Sequence, residues 1–236
     1  MQTIGLLFKV LWSPGEAMFF LSKNPRVLVP ILFLCLVSFA AGTVMVTKLD
    51  LAELTIRQIE RSPQGANFSD QQKDLLRQQM RSPVVKGFTF VSTAVSPVVI
   101  IVIVALIYFG VFTILGREGG FKAFMSITAF AFVPLIFRQL AAVLSAYFLP
   151  SSATMLDELG SLSPSVFLDR DSMSPVLFTA IGTIDLVSIW ILALLIIGYG
   201  FATRKSLSKG VRAATVIGVF FVYVALRLAL AAVRGV

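Results

Sequence analysis

Apolar residues along this chain come in long blocks rather than in the narrow periodic stripes of a soluble core. Val27–Thr47, Gly87–Gly116 and Ala123–Phe137 contain no charged residue, Ser172–Thr203 contains only Asp185, and Ala213–Val233 contains only Arg227. A helix of roughly 20 mostly apolar residues crosses a hydrocarbon core of about 30 Å. Each block reaches that length once Ala123–Phe137 is continued past Arg138 to Leu149. Strong β-alternation is absent, so helices rather than a barrel must satisfy the backbone inside lipid. The pattern predicts an all-α polytopic membrane protein with spans over about 27–46, 88–115, 121–149, 176–202 and 213–233.

Two stretches outside the blocks carry helical periodicity of their own. In residues 1–26, Ile4, Leu7, Phe8 and Leu11 follow i, i+3, i+4, i+7 spacing and predict one apolar helical face. Ser13, Pro14 and Glu16 then read as N-cap, first and third positions of a second short helix that ends at Asn24-Pro25. Both helices are expected to lie in the membrane interface, with Lys9, Lys23 and Arg26 toward anionic headgroups or packed as cover on the bundle. The polar insert 48–86 predicts a helical hairpin. Leu49, Ala52, Ile56 and Ile59 line its first arm, and Leu75, Leu76 and Met80 line the second, which opens on a Ser69/Gln72 capping box. Residues 27–236, with the insert 48–86 included, are expected to form a single five-span membrane domain.

Composition agrees with this picture. The 236 residues are 57% hydrophobic and 14% charged, against about 25% charged in a typical soluble domain. The stretch Ile4–Trp12 is interrupted by Lys9 and lacks a small-residue cleavage pattern, so it fits a cleavable signal peptide poorly. The lone Cys35 lies within the first block and reads as packing filler. The net charge of +8 sits at helix ends instead of in one patch, which argues against nucleic acid. With five spans, one face carries +2 from the N-terminal segment, +1 from the Gly116 turn and +4 from the Arg204, Lys205, Lys209 and Arg212 loop. The other carries +2 from the insert, −3 from the Pro150 loop and +1 from Arg234. The concentrated basic loop favours a cytoplasmic N-terminus and a C-terminus on the opposite side.

Three ionisable residues fall within the spans: Arg138, Asp185 and Arg227. At ~1.5 Å per residue, Arg138 and Asp185 come to similar depths near mid-bilayer, while Arg227 is shallower. An isolated charge at that depth is costly, so an Arg138–Asp185 ion pair between the third and fourth spans is expected, with Arg227 joining it or snorkelling outward. Its role is either structural or that of a polar site for a substrate or proton. No His is present, so imidazole metal ligands and Ser–His or Cys–His pairs are excluded, and Gly116–Gly120 lacks the features of a phosphate-binding P-loop. No catalytic role, cofactor or metal is expected.

The turn Leu115-Gly116-Arg117-Glu118-Gly119-Gly120-Phe121-Lys122 and the later Phe130-Ala131-Phe132-Val133-Pro134 resemble the Yip-one (Ypt-interacting protein) domain family of five-span membrane proteins. Supporting stretches are Ser13-Pro14-Gly15-Glu16, Ile184-Asp185-Leu186-Val187-Ser188-Ile189-Trp190 and the basic Arg204–Arg212 turn, so the resemblance spans nearly the whole chain. It implies a cytoplasmic N-terminus and action through membrane partners. Eukaryotic members work in Golgi and endoplasmic-reticulum trafficking and bind Rab-type GTPases and one another. Here the segment before the first span is short and the insert after it is long, which resembles prokaryotic members and argues against transferring Rab-type GTPase binding. The expected protein is a non-catalytic scaffold or membrane-organising factor, in contact with the bilayer and with other membrane proteins or copies of itself, in a bacterial inner membrane. The alternative is a small transporter or channel at Arg138 and Asp185, with helices broken near Pro97, Pro134 and Gly198-Tyr199-Gly200.

Overall fold

The computed structural model describes residues 3–60, 65–116, 119–148, 159–168, 172–203 and 207–234. In chain order its α-helices are α1 (Thr3–Trp12), α2 (Pro14–Lys23), α3 (Leu28–Lys48), α4 (Leu51–Glu60), α5 (Asp70–Arg81), α6 (Pro83–Ile114), α7 (Phe121–Ala131), α8 (Leu135–Phe148), α9 (Pro175–Thr183), α10 (Leu186–Ala202) and α11 (Lys209–Arg234). Short 3-10 turns occur at Gly65–Asn67 and Pro164–Phe167. The protein is therefore all-α among the described residues. Four segments are long and apolar enough to cross a membrane: α3, α6, α7 with α8 (Phe121–Phe148), and α11. The α9–α10 pair makes a fifth if counted as one span, although it is bent by 53°.

Local sequence explains where these elements break and where they do not. Phe132, Val133 and Pro134 form a turn between α7 and α8, since Pro134 offers no N–H to the helix ladder. Pro97, by contrast, is carried inside a continuous α6. The segment expected as the fourth span, over about 176–202, is bent: α9 ends at Thr183, Ile184 is extended (φ −98, ψ 99), and α10 restarts after Asp185. The break that the transporter alternative places at Gly198-Tyr199-Gly200 does not occur, and all three residues are helical within α10.

The helices contribute to two compact units. The first comprises residues 1–36, 95–136 and 187–223. Its core joins α1 and α2 (Leu6, Val10, Met18, Leu21) to α6, α7 and α10. Around Tyr199, the Phe124 ring stacks at 4.9 Å, with Tyr108 at 5.1 Å and Phe112 at 5.5 Å. The polar ends of this cluster are satisfied internally. Tyr199 Oη and Thr128 Oγ1 are 2.8 Å apart, and Tyr108 donates to the Val216 carbonyl at 3.0 Å. Gly198 permits the close approach of α10, because a Cβ there would run into Ile127 and the sulfur of Met18. The Ser126 hydroxyl both accepts from the Arg26 amide and donates to the Arg26 carbonyl, each at 2.9 Å, fastening the start of α3 to α7.

The N-terminal helices correct the expected amphipathic face. Leu6, Leu7 and Val10 of α1 are buried, whereas Ile4, Phe8 and Trp12 point outward, with Phe8 and Trp12 stacked at 6.5 Å. α1 is apolar on both sides, so spacing alone could not identify the inner one. Ser13 occupies the N-cap position of α2 without a side-chain cap bond, and Glu16 turns instead to Lys9 at 2.5 Å.

The second unit comprises residues 37–94, 137–186 and 224–236. Its hairpin of α4 and α5 opens on the expected capping box: the Gln72 amide donates to Ser69 Oγ at 3.3 Å, and the Ser69 amide to Gln72 Oε1 at 2.9 Å. The face of α5 differs from the expected one. Leu75 is exposed, and Lys73, Leu76, Arg77 and Met80 are the half-buried positions. Ionic contacts therefore close the hairpin: Arg81–Asp50 at 2.6 Å, Lys73–Glu60 at 2.7 Å and Arg77–Glu53 at 3.3 Å. Elsewhere in this unit α3 approaches α6 at Gly42, where a Cβ would lie 2.6 Å from Thr93 Cγ2.

Candidate functional site

Two of the three charged residues that interrupt the apolar blocks meet. Arg138, in the first turn of α8, donates from an Nη to Asp185 Oδ2 at 2.5 Å. Asp185 sits in the bend, immediately before α10. A carboxylate is favoured at that position because the first helical N–H groups are unsatisfied and the helix dipole is positive there. Two features thus accommodate Asp185 within an apolar segment: the guanidinium of Arg138 and its place before the first turn of α10. The break in the fourth span is what provides the second. An aspartate in mid-helix would have had only the arginine.

The two partners differ in exposure. The Asp185 side chain is 3% exposed and that of Arg138 39%. Arg138 therefore presents one side of its guanidinium outward while the acid is enclosed. The neighbouring Gln139 donates to Ser38 Oγ of α3 at 3.0 Å, and Ser38 is buried. A third polar element lies against α8. Gly160 adopts φ 74 and rests on the Arg138 carbonyl and Ala142, where a Cβ would come within 2.6 Å of that oxygen. Beyond it Ser161, Ser163 and Ser165 are linked through their hydroxyls, at 2.9 and 2.5 Å. Ser165 in turn abuts Gly182 of α9, three residues before Asp185. The serine-lined loop thus packs against the backbone of α8 at Arg138 and against α9 at Gly182. Its apolar flank is Phe167, which is 90% exposed.

Arg227 does not join this cluster. It is exposed on α11 and has no ionic partner among the described residues. The basic residues expected at the membrane surface are distributed. Lys9 pairs with Glu16, Lys23 lies 4.4 Å from the centroid of the Phe19 ring, and Arg26 contacts Thr3 while lying 5.8 Å from the Phe20 ring. Lys209 and Arg212 line a cavity of about 340 Å³ beside α10. Arg204 and Lys205 lie outside the described residues, as do Arg117, Asp157, Glu158, Asp169, Arg170 and Asp171. Sequence reasoning missed Gln139–Ser38, Gly160 and the serine loop. Amides, hydroxyls and glycines are too common in membrane helices and loops to stand out one at a time, unlike a charge in an apolar block.

Comparison with known proteins adds one match, to the Yip1 domain, whose family model aligns with residues 8–230. No curated protein matches the chain, and no solved structure does.

Proposed function

This chain belongs to the Yip1 domain family, and from that premise we propose that it is a non-catalytic, membrane-organising scaffold that acts through lipid and membrane-protein partners. The observation that carries the reading is how little of its spanning surface the chain covers itself. Only 17% of the spanning window of α11 is buried, and 28% of those of α3 and α6, against 44% in Phe121–Phe148. Phe221, Val222, Leu226 and Leu230 of α11 all lie exposed, a surface suited to lipid tails or to the helices of another membrane protein. The one acid among those segments, Asp185, is in contrast enclosed and bonded to Arg138. We place the protein in a bacterial inner membrane with its N-terminus in the cytoplasm, so that the dense basic end of α11 faces the cytoplasmic leaflet.

The experiment is affinity purification in native-lipid discs, comparing wild type with Leu226→Gln on α11 and Asp185→Asn. A scaffold retains a stoichiometric membrane partner or a second copy, and loses most of it in Leu226→Gln. Absence of any retained partner, or retention unchanged by Leu226→Gln and Phe221→Gln alike, contradicts the reading. The bend at Asp185 favours a second function, since transporters bind ions at the ends of broken helices. That reading makes the Arg138–Asp185 pair the site of a small transporter or channel. Its test is ion or solute flux in proteoliposomes that disappears in folded Asp185→Asn.

A further inference from the structure

We infer that the cavity beside the N-terminus of α11 is a specific site for an anionic phospholipid, with the headgroup phosphate on Arg212 and Lys209 and an acyl chain along Ile196, Ile197 and Phe201. The cavity, about 340 Å³, is lined by these five residues and Gly200. Its composition is bipartite. One end carries two cations and no acid, and the other is wholly apolar. Neither cation is used elsewhere: among the described residues Lys209 and Arg212 have no acidic partner, and Arg212 Nε reaches only the Ser208 carbonyl, at 3.4 Å. This contrasts with Lys9, Lys73, Arg77 and Arg81, all of which are paired with carboxylates.

Position matches the two ends to the two parts of a lipid. Lys209 begins α11 and α10 ends at Ala202, so the cationic end sits where spans leave the hydrocarbon. Ile196 is six residues inside α10, or about 9 Å deeper at ~1.5 Å per residue, within acyl-chain territory. Arginine binds phosphate oxygens through paired N–H donors, and basic pockets between spanning helices suit anionic headgroups. The positive end of the α11 dipole adds to the attraction. A soluble phosphate would leave the apolar half of the cavity unused, and an acidic protein segment would have to enter hydrocarbon. The cavity is thus matched to a lipid.

Gly200 has a defined part in this site. A Cβ at that position would collide with the Arg212 guanidinium. The missing side chain is what lets the cation lie against the α10 backbone and form one wall. Gly200→Ala should therefore displace the charge without removing it, at little cost in stability, because the colliding group is the free end of a flexible side chain.

This inference does not depend on the scaffold reading, since a transporter could carry the same site. The full chain is equilibrated with mixed phosphatidylcholine and phosphatidylglycerol vesicles, extracted mildly, and its retained lipid is measured by native mass spectrometry. Wild type is expected to retain phosphatidylglycerol preferentially. Lys209→Gln should lower that preference by about fivefold, the equivalent of the ~1 kcal/mol contributed by one cation near an anionic surface. Arg212→Gln and Gly200→Ala should lower it by at least as much, while Arg212→Lys restores part of it. Lys122→Gln, an exposed cation outside the cavity, should leave it unchanged. Lys209→Gln is exposed and carries no folding risk, so it decides the matter if Arg212→Gln proves unstable. Equal effects of Lys122→Gln and Lys209→Gln would show general surface charge and overturn the site. Displacement of the lipid by soluble glycerophosphate would show an anion site without a lipid and overturn it as well.

Discussion

Asp185 illustrates how a single charged residue can be accommodated in an apolar segment by both a partner and the backbone. Its carboxylate is enclosed, bonded to Arg138 at 2.5 Å and placed before the first turn of α10. Removing one member of a buried ion pair leaves the other uncompensated and costs several kcal/mol. Arg138 is 39% exposed, so a smaller loss, about 2 kcal/mol, is expected for Asp185→Ala. Thermal unfolding in mild detergent measures it, and Arg138→Asp combined with Asp185→Arg should recover part of it. No destabilisation in Asp185→Ala would remove the pair from any role in folding. A second expectation rests on Gly198, where an added methyl meets Ile127 and Met18 in a filled core. Overpacking of that kind costs about 1–3 kcal/mol, so Gly198→Ala should unfold earlier while Gly210→Ala, with open space around it, should not. The pair was legible in the sequence because Arg138 and Asp185 interrupt otherwise uncharged blocks. Gly198 was not, since its role depends on which helix lies opposite.

Among the elements, the α4–α5 hairpin is held by ion pairs that weaken at both extremes of pH. Burial pushes the Asp50 carboxyl up, but the Arg81 hydrogen bond and charge and the Glu53 amide outweigh it and hold the group below its usual value. A depressed carboxyl contributes stability above its unfolded value and loses it as pH falls through the folded one. Lys73 is shifted the other way, raised chiefly by its hydrogen bond to Glu60. Its contribution is present below the ordinary lysine range and is lost as pH rises through the elevated value. Amide-exchange protection of α4 and α5, measured by hydrogen exchange, should therefore be flat near neutrality and fall below the ordinary carboxylate range of about 4. Arg81→Gln should remove most of that acidic fall. An equally steep fall in Arg81→Gln would contradict the assignment to Asp50. Ser69→Ala should cost about 1 kcal/mol through the lost cap. The cap was readable because Ser and Gln three apart have a fixed geometric meaning. The inner face of α5 was not: the apolar residues suggested Leu75, whereas the carboxylates of α4 draw Lys73 and Arg77 inward. α1 failed differently, as both of its faces are apolar and one of them, Ile4, Phe8 and Trp12, lies outward.

At the scale of the molecule, blocks of uncharged residues were enough to identify an all-α membrane protein, because length and composition alone determine what can cross lipid. Sidedness is read by single-cysteine labelling. A Cys35→Ser background removes the one cysteine, after which Ser69→Cys in the hairpin and Ser208→Cys before α11 can be labelled singly with a membrane-impermeant maleimide. The proposed topology expects the two labels from opposite sides of the membrane, and labelling of both from one side would contradict it. The central claim, that the charges within the spans are architectural and the protein works through its surfaces, is tested most directly by flux. Wild type, Asp185→Asn and the Arg138→Asp/Asp185→Arg double variant are reconstituted into proteoliposomes under proton, sodium and potassium gradients. If the pair is architectural, wild type gives no flux above empty vesicles, and the double variant recovers folding lost in the single one. A wild-type flux that vanishes in folded Asp185→Asn would contradict that account and make the pair a transport site.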